Sequence, residues 1–247
     1  MEVRTQELTR YILPMREGGS LPVLGEADDG FKYVVKLRGA GHGKKALIAE
    51  FLGSMIARAF KFNVPETVLL DLPGVFGITE PDQEVQELMR NSEGLNVGLH
   101  YLSGAATFDP AINTVDPLLA AKILWLDAFL TNVDRTRLNP NMMIWHGDLW
   151  LIDNGASFYF HHAWRDPQKA ALDPFPYIRH HVFLRYADRL EEADRLMRQA
   201  ITPRTLSRIV SLIPEEWLDE EDSDITPEER RRAYETFLLD RLKNTSI

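Results

Sequence analysis

The order of patterns along the chain predicts an α+β protein in two lobes. A strand-rich N-terminal lobe with one helix spans residues 1–103, and a mainly helical lobe spans 104–247. Three observations carry this. The first third is dominated by β-forming runs and glycine-containing turns. It holds one strongly periodic apolar helix. From Leu118 onward the pattern turns helical, interrupted by a single apolar hairpin.

"LTRYILPM" is a short apolar run, and "REGGSLPVLGEADDG" after it reads as a glycine-containing hairpin. "FKYVVKL", Phe31 to Leu37, is a strand that follows the turn signal "ADDG". From Lys44 to Phe60, Leu47, Ile48, Phe51, Leu52, Met55, Ile56 and Ala59 recur at helical spacing. "NVPETVLLDLPG" is a break and a further strand, 82–91 a short helix, and "LNVGLHYL" an extended segment. The lobe boundary falls near 103–115, in "SGAATFDPAINTVDP". Leu118 to Leu130 is a dense apolar helix, and the chain from about Pro174 is helical and charged. Thr226-Pro227-Glu228-Glu229 starts a helix, with Thr226 as N-cap and Pro227 in the first turn. The acid run Glu215 to Asp224 before it reads as a solvated loop.

Composition bounds the function. The chain has 247 residues, enough for two lobes with a real core, and 45% apolar content marks an ordinary globular protein. A net charge of −9 argues against a general nucleic-acid binder. With no cysteine, disulfides and thiolate metal sites are excluded. The N-terminus lacks the apolar core of a secretory signal, and Pro117 to Leu126 contains Lys122 and is too short to span a bilayer. The expectation is a soluble, cytoplasmic protein.

The chemistry concentrates in "NVDRTRLNPNMMIWHGDLWLID", Asn132 to Asp153. "MMIW" and "LWLI" flank the turn signal "HGD", a hairpin folding back near Gly147. That fold-back sets Asn141 opposite Asp153 or within one position of it. An odd-length loop puts both side chains on one face, where they could share a divalent cation. A two-residue loop offsets them by one and turns them apart. Asn139 lies two residues further out. Asp134 precedes the hairpin, flanked by Arg135 and Arg137. An Asp, an Asn and an Asp offer hard oxygen ligands of the kind Mg²⁺ prefers, plus a candidate base. The same residues also cap ordinary turns, and the pattern alone leaves both readings open.

"NVDR", then an Asn leading into an apolar strand, then a hairpin ending "LID-G", resembles the catalytic core of HipA-like kinases and is similar to that of phosphatidylinositol-kinase-like enzymes. The resemblance implies a two-lobed protein-kinase-like fold and ATP- and Mg-dependent phosphoryl transfer. It implies Asp134 as the catalytic aspartate that orients the acceptor hydroxyl and can deprotonate it. It implies Asn141 and Asp153 as Mg²⁺ ligands, and Asp127 and Asn132 as residues that hold the catalytic loop. There are departures. Thr136 stands where the family has His. The family's spacing from the aspartate selects Asn139, whereas Asn141 better precedes the apolar strand. Asn154 replaces the aromatic of Asp-Phe-Gly.

A kinase of this type also needs a strand lysine paired with a helix carboxylate. Lys36 ends "YVVK", and Glu50 is the sole carboxylate between Asp29 and Glu66, although it lies opposite the apolar stripe of its helix. "GGSLPVLG", with Gly19 and Ser20, sits where a phosphate-covering loop belongs. The backbone from His100 to Leu102 is placed for adenine by order alone. The pairs His161-His162 and His180-His181 carry no zinc motif. Residues 175–247 carry no legible motif.

The resemblance implies a Ser or Thr hydroxyl on a protein as acceptor, with ATP as donor, and an antitoxin-like protein is the kind of regulatory partner it suggests. A small-molecule or lipid kinase, or a catalytically weak kinase-like binding module, is the alternative. No nucleic-acid or membrane partner is indicated.

Overall fold

A computed structural model describes residues 2–15, 21–41, 43–74, 76, 80–164, 166–220 and 224–244. The chain begins with β1 (Thr5–Pro14), β2 (Val23–Ala27), β3 (Lys32–Lys36), α1 (Lys44–Ala59), β4 (Thr67–Leu72), α2 (Gln83–Arg90) and β5 (Gly94–His100). Strand pairing runs β1–β2–β3–β5–β4 and returns to β1, antiparallel except between β1 and β4. Alternation places Leu8, Val23, Tyr33, Val35, Val68 and Leu70 inside, where they form a closed apolar cluster. The short helix expected over 82–91 is α2, so two helices rather than one accompany these strands. Asp82 caps α2 by accepting from Glu84 N–H, and Val85 and Met89 press its apolar side onto the cluster.

Helix α1 departs from the striped surface helix that its periodicity suggests. Every residue from Leu47 to Ala57 is buried, because strands cover one side of the helix and the helical half covers the other. Its apolar residues join the larger core with Val97 and Leu99 of β5 and with the helices that follow. The face opposite the apolar stripe, which carries Glu50, is therefore interior.

The second half contains β6 (Ala106–Thr107), α3 (Pro117–Leu130), β7 (Met142–Trp145), β8 (Asp148–Leu151), α4 (Pro167–Leu172), α5 (Leu190–Ala200), α6 (Pro203–Ser211), α7 (Glu215–Leu218) and α8 (Pro227–Lys243). Short 3₁₀ segments fill Tyr159–His162, Pro176–His180 and Leu184–Arg189, the last kinked at Tyr186. Asp116 caps α3 with Pro117 at its first position, and Thr131 ends it in the left-handed conformation. Trp125 and Phe129 of α3 stack in the core; burying side chains of this size stabilises by roughly 1.5–3 kcal/mol each. Helix α8 starts with a reciprocal capping box between Thr226 and Glu229.

The acid run, as far as it is described, is only in part a solvated loop. Glu215–Leu218 forms α7, and Trp217 is buried with its ring edge on Phe51 and its Nε1–H on the Leu95 carbonyl at 2.9 Å. Glu216 accepts from Leu95 N–H at 3.0 Å and pairs with Arg38 at 3.4 Å, and Glu220 pairs with Lys45 and Arg230. Glu216 and Glu220 are thus ion-paired, while Glu215, Glu216 and Asp219 remain exposed to solvent. No helix among the described residues is long and apolar enough to cross a membrane.

Candidate active site

The hairpin of β7 and β8 turns through two residues, with Trp145 opposite Asp148. His146 at φ 51° and Gly147 at φ 86° supply the two positive dihedrals that such a turn requires. Asn141 therefore stands level with Ile152, whose N–H it accepts at 3.0 Å, and Asp153 lies one position further. By strand alternation the two side chains would diverge. Strand alternation does not extend to either, because both lie beyond the strand ends in left-handed conformation, φ 50° for Asn141 and 55° for Asp153. β6, a strand the sequence reading assigned to the connecting segment, pairs with β7 and widens the hairpin to three strands.

Asp153 reaches the strand-rich half. Its Oδ1 lies 3.0 Å from Lys36 Nζ, and Glu50 Oε2 lies 4.0 Å from the same nitrogen. The Lys36 side chain is 13% exposed and that of Asp153 37%, so the pair is partly open to solvent. Burial opposes the Lys36 charge, but Asp153 and Glu50 outweigh it and raise its pKa, with Asp134 adding to the effect. Burial likewise opposes the Asp153 charge, and Lys36 holds that carboxyl below its usual range. Glu50 goes the other way. Burial pushes it up and Asp153 adds to that, against Lys36.

Behind these groups a hydrogen-bonded chain runs into the helical half. Glu50 accepts from Asn154 N–H at 3.0 Å and from Ser54 hydroxyl at 3.1 Å. Asn154 Nδ2 donates to Ser54, and Arg135 Nη2 donates to Asn154 Oδ1 at 3.1 Å. Arg135 also donates to the carbonyls of Asn141 and Ile152, and through Nε to Asp127 Oδ2 at 2.6 Å. Asp127 completes its shell with Asn132 Nδ2 and His181 Nε2. His181 Nδ1 accepts from Phe183 N–H, so the hydrogen of the neutral ring sits on Nε2 and points at Asp127. Burial opposes the Asp127 charge, and Arg135 and His181 hold the carboxyl below its usual range.

Asp134 hangs from this frame. Its N–H donates to Asn132 Oδ1 at 3.0 Å, and its Oδ2 accepts from the amides of Asn139 at 2.7 Å and Asn141 at 3.2 Å. Both Asn139 and Asn141 thus face Asp134, and the amide oxygen of either is a hard donor beside it. Among the described residues no group of three or more His, Asp or Glu gathers as a metal site, so a cation here would depend on amide as well as carboxylate oxygens.

His100 belongs to β5, gives its N–H to the Glu66 carbonyl and packs its ring against Phe31 and Tyr33. That N–H is therefore committed to the segment leading into β4. Gly19 and Ser20 lie outside the described residues. Three buried members, Arg135, Asn154 and His181, went unassigned in the sequence. Arg135 and Asn154 adjoin assigned aspartates, which was the available signal. His181 had none, because its partner Asp127 lies 54 residues away.

The architecture is that of a kinase. The chain is similar in fold to the Helicobacter pylori proinflammatory kinase CtkA, at TM-score 0.63 and 10% identity over 97% of this chain and 94% of that one. It is also similar to the Golgi casein kinase solved with Mn/ADP bound, at TM-score 0.46 and 12% identity over 98% of this chain and 73% of that one. No curated protein matches the sequence. The family model for HipA-like kinases matches residues 8–246, and the chain belongs to that family. Membership supports a kinase-type phosphotransferase.

Proposed function

We propose that the chain transfers the γ-phosphoryl group of ATP to a Ser or Thr hydroxyl on a protein, with Mg²⁺ as the divalent ion. One observation carries the reading: Lys36, Glu50 and Asp153 converge from three different elements, and Asp134 stands close enough to act on the Lys36 charge. Residues 1–103 would form the nucleotide lobe and 104–247 the catalytic lobe. The Lys36 ammonium binds phosphate oxygens, and Glu50 and Asp153 fix its position. Leu102 backbone faces the adenine.

The acceptor oxygen attacks the γ-phosphorus, its bond to the β–γ bridging oxygen breaks, and ADP departs. The hydroxyl proton passes to the Asp134 carboxylate, which the amides of Asn139 and Asn141 hold in place. Asp127 and Asn132 position the loop and touch no reactant. Asp153 with Asn141, or Asn139, would hold Mg²⁺, which when bound offsets phosphate charge. Their carboxylate and amide oxygens fit a hard cation, and Lys36 already shows that a cation is accommodated at Asp153.

The family departures are compensated. Asn154, in place of the aromatic, is locked by Glu50, Ser54 and Arg135. Thr136, in place of His, forms a backbone bridge to His181, which brings an imidazole to the same loop.

Phosphate transfer from labelled ATP to candidate acceptors, a protein mixture included, tests this. Asp134→Ala should reduce transfer by about 10²–10⁴-fold while ATP still raises the melting point. Lys36→Met should abolish that thermal shift. Transfer undiminished in Asp134→Ala sinks the assignment. ATP-dependent stabilisation without transfer to any protein favours a binding module, and transfer to a lipid or small molecule alone favours the other alternative.

A further inference from the structure

A cleft of about 770 Å³ opens beside the loop that carries Asp134. Arg137 and Leu138 form one wall, and Arg179, Val182, Leu184 and Arg185 form the other. The walls are joined to the catalytic frame, since Thr136 bridges to His181 and Val182 N–H donates to the Arg135 carbonyl at 3.1 Å. Thr136 N–H in turn donates to the Asp134 carbonyl at 2.8 Å. Anything seated in the cleft thus lies against the loop that faces the acceptor.

The cleft is cationic in an acidic protein. Its lining contains three arginines and no carboxylate, although the chain has 37 acidic against 28 basic residues. Arg137, Arg179 and Arg185 are exposed, and none is ion-paired with a carboxylate among the described residues. Arg179 Nε contacts His180 at 3.1 Å, and Arg185 lies over the Tyr186 ring at 4.8 Å and donates to its hydroxyl. Both guanidinium groups are thus steered by His180 and Tyr186 rather than by a carboxylate, and keep N–H donors for a ligand. Leu138 is 99% exposed and Leu184 40%, so the arginines border bare apolar surface.

We infer that this cleft docks the acceptor polypeptide through acidic side chains, Asp, Glu or phosphorylated Ser, set beside an apolar residue; this rests on the phosphotransferase reading above. Guanidinium groups recognise carboxylate and phosphate by paired N–H donation, and both chemistries fit the same three arginines. The apolar border and the net charge of −9 favour a peptide over a nucleic acid, which needs a longer basic track.

Fluorescence anisotropy of labelled Ser-containing peptides with neutral, Asp-rich or phosphoserine flanks, and of an RNA hairpin, tests the inference on the full chain. The comparison is with Arg179→Glu/Arg185→Glu and with Arg137→Glu, each first shown to melt like the unsubstituted protein. Acidic peptides should bind about tenfold tighter than neutral ones, less so at high salt, and the double variant should erase the preference. Preference for Asp over phosphoserine, or the reverse, identifies the source of the negative charge. Equal binding of neutral and acidic peptides, an acidic preference that survives both variants, or tighter arginine-dependent binding of RNA overturns it. Transfer of phosphate to the same peptides is scored separately. Arginine-dependent binding without transfer defeats the enzymatic reading and leaves the docking site. Equal transfer to neutral and acidic peptides defeats the docking site and leaves the enzyme.

Discussion

Asp127 on the helical side of the site and Glu50 on the strand side are both buried carboxylates in one hydrogen-bonded chain, yet burial ends oppositely for them. Asp127 touches Arg135 at 2.6 Å and receives two further donors, and its charge is secured. Glu50 stands 4.0 Å from Lys36, which sits closer to Asp153, and burial raises its pKa. The helical half is a pinned frame that sets Asp134. The strand half holds a lysine shared between two acids, so its ion pairs can be redistributed when an anionic substrate arrives. Contact distance, rather than burial itself, separates the two.

Breaking the pinned side should give the largest effect. Asp127→Asn leaves Arg135 charged and uncompensated in the interior, and should lower stability by about 3–5 kcal/mol in urea unfolding at pH 7. The sign with pH follows from the direction of the shift. A carboxyl whose folded pKa lies below the ordinary 3.8 contributes stability above that value and loses it as pH falls through the folded value. The variant should therefore lose that part of the acid-unfolding slope. An unchanged slope places the acid sensitivity elsewhere.

A second buried arginine sharpens the contrast. Arg241 meets no carboxylate among the described residues; it donates to the carbonyls of Ala128 and Phe129 at the end of α3, and of Ala171 and Asp173 at the end of α4. Two helix C-termini supply the negative potential, and burial still lowers its pKa to about 10. Arg241→Met should cost about 2–4 kcal/mol through unsatisfied carbonyls, with phosphate transfer per folded molecule intact. Loss of transfer at full folding would connect the tail to the site.

The legible part of this site is local in sequence. Lys36 ends a β-rich run, Asp134, Asn141 and Asp153 frame an apolar hairpin, and Glu50 was the sole carboxylate in its segment. What could not be read is set by tertiary contact. The face of α1 carrying Glu50 looks solvent-facing until the helical half covers it. His181 meets Asp127 only through the fold, and Trp217 meets Leu95 across 122 residues. The short strand β6 is too brief to carry a pattern of its own and gains its stability from pairing with β7.

Between the two carboxylates lies Asn154, and its position depends on Gly53. A Cβ at Gly53 would lie 2.4 Å from Asn154 Cβ, a contact neither backbone can easily relieve. Gly53→Ala should destabilise by about 1–3 kcal/mol and weaken ATP binding together, because Asn154 links Glu50 to Arg135. ATP affinity measured by calorimetry on the folded variant checks it. Normal affinity with reduced stability would make Asn154 a packing residue alone.

Glu50→Gln gives the smallest shift and the opposite sign. A carboxyl whose folded pKa is raised above 4.5 penalises folding once pH exceeds the folded value, and the penalty fades as pH falls. A glutamine oxygen still accepts from Asn154 N–H, and Lys36 keeps Asp153 at 3.0 Å. The variant should gain about 1 kcal/mol at pH 8 over the unsubstituted protein, and the gap should close toward pH 5. Under the phosphotransferase reading the same variant binds ATP less tightly, since Lys36 loses one of the two acids that fix it. Melting curves across that pH range decide the sign. A loss at pH 8 as large as that of Asp127→Asn would mean that the 4.0 Å contact already secures Glu50, and the two halves of the site would then be built alike.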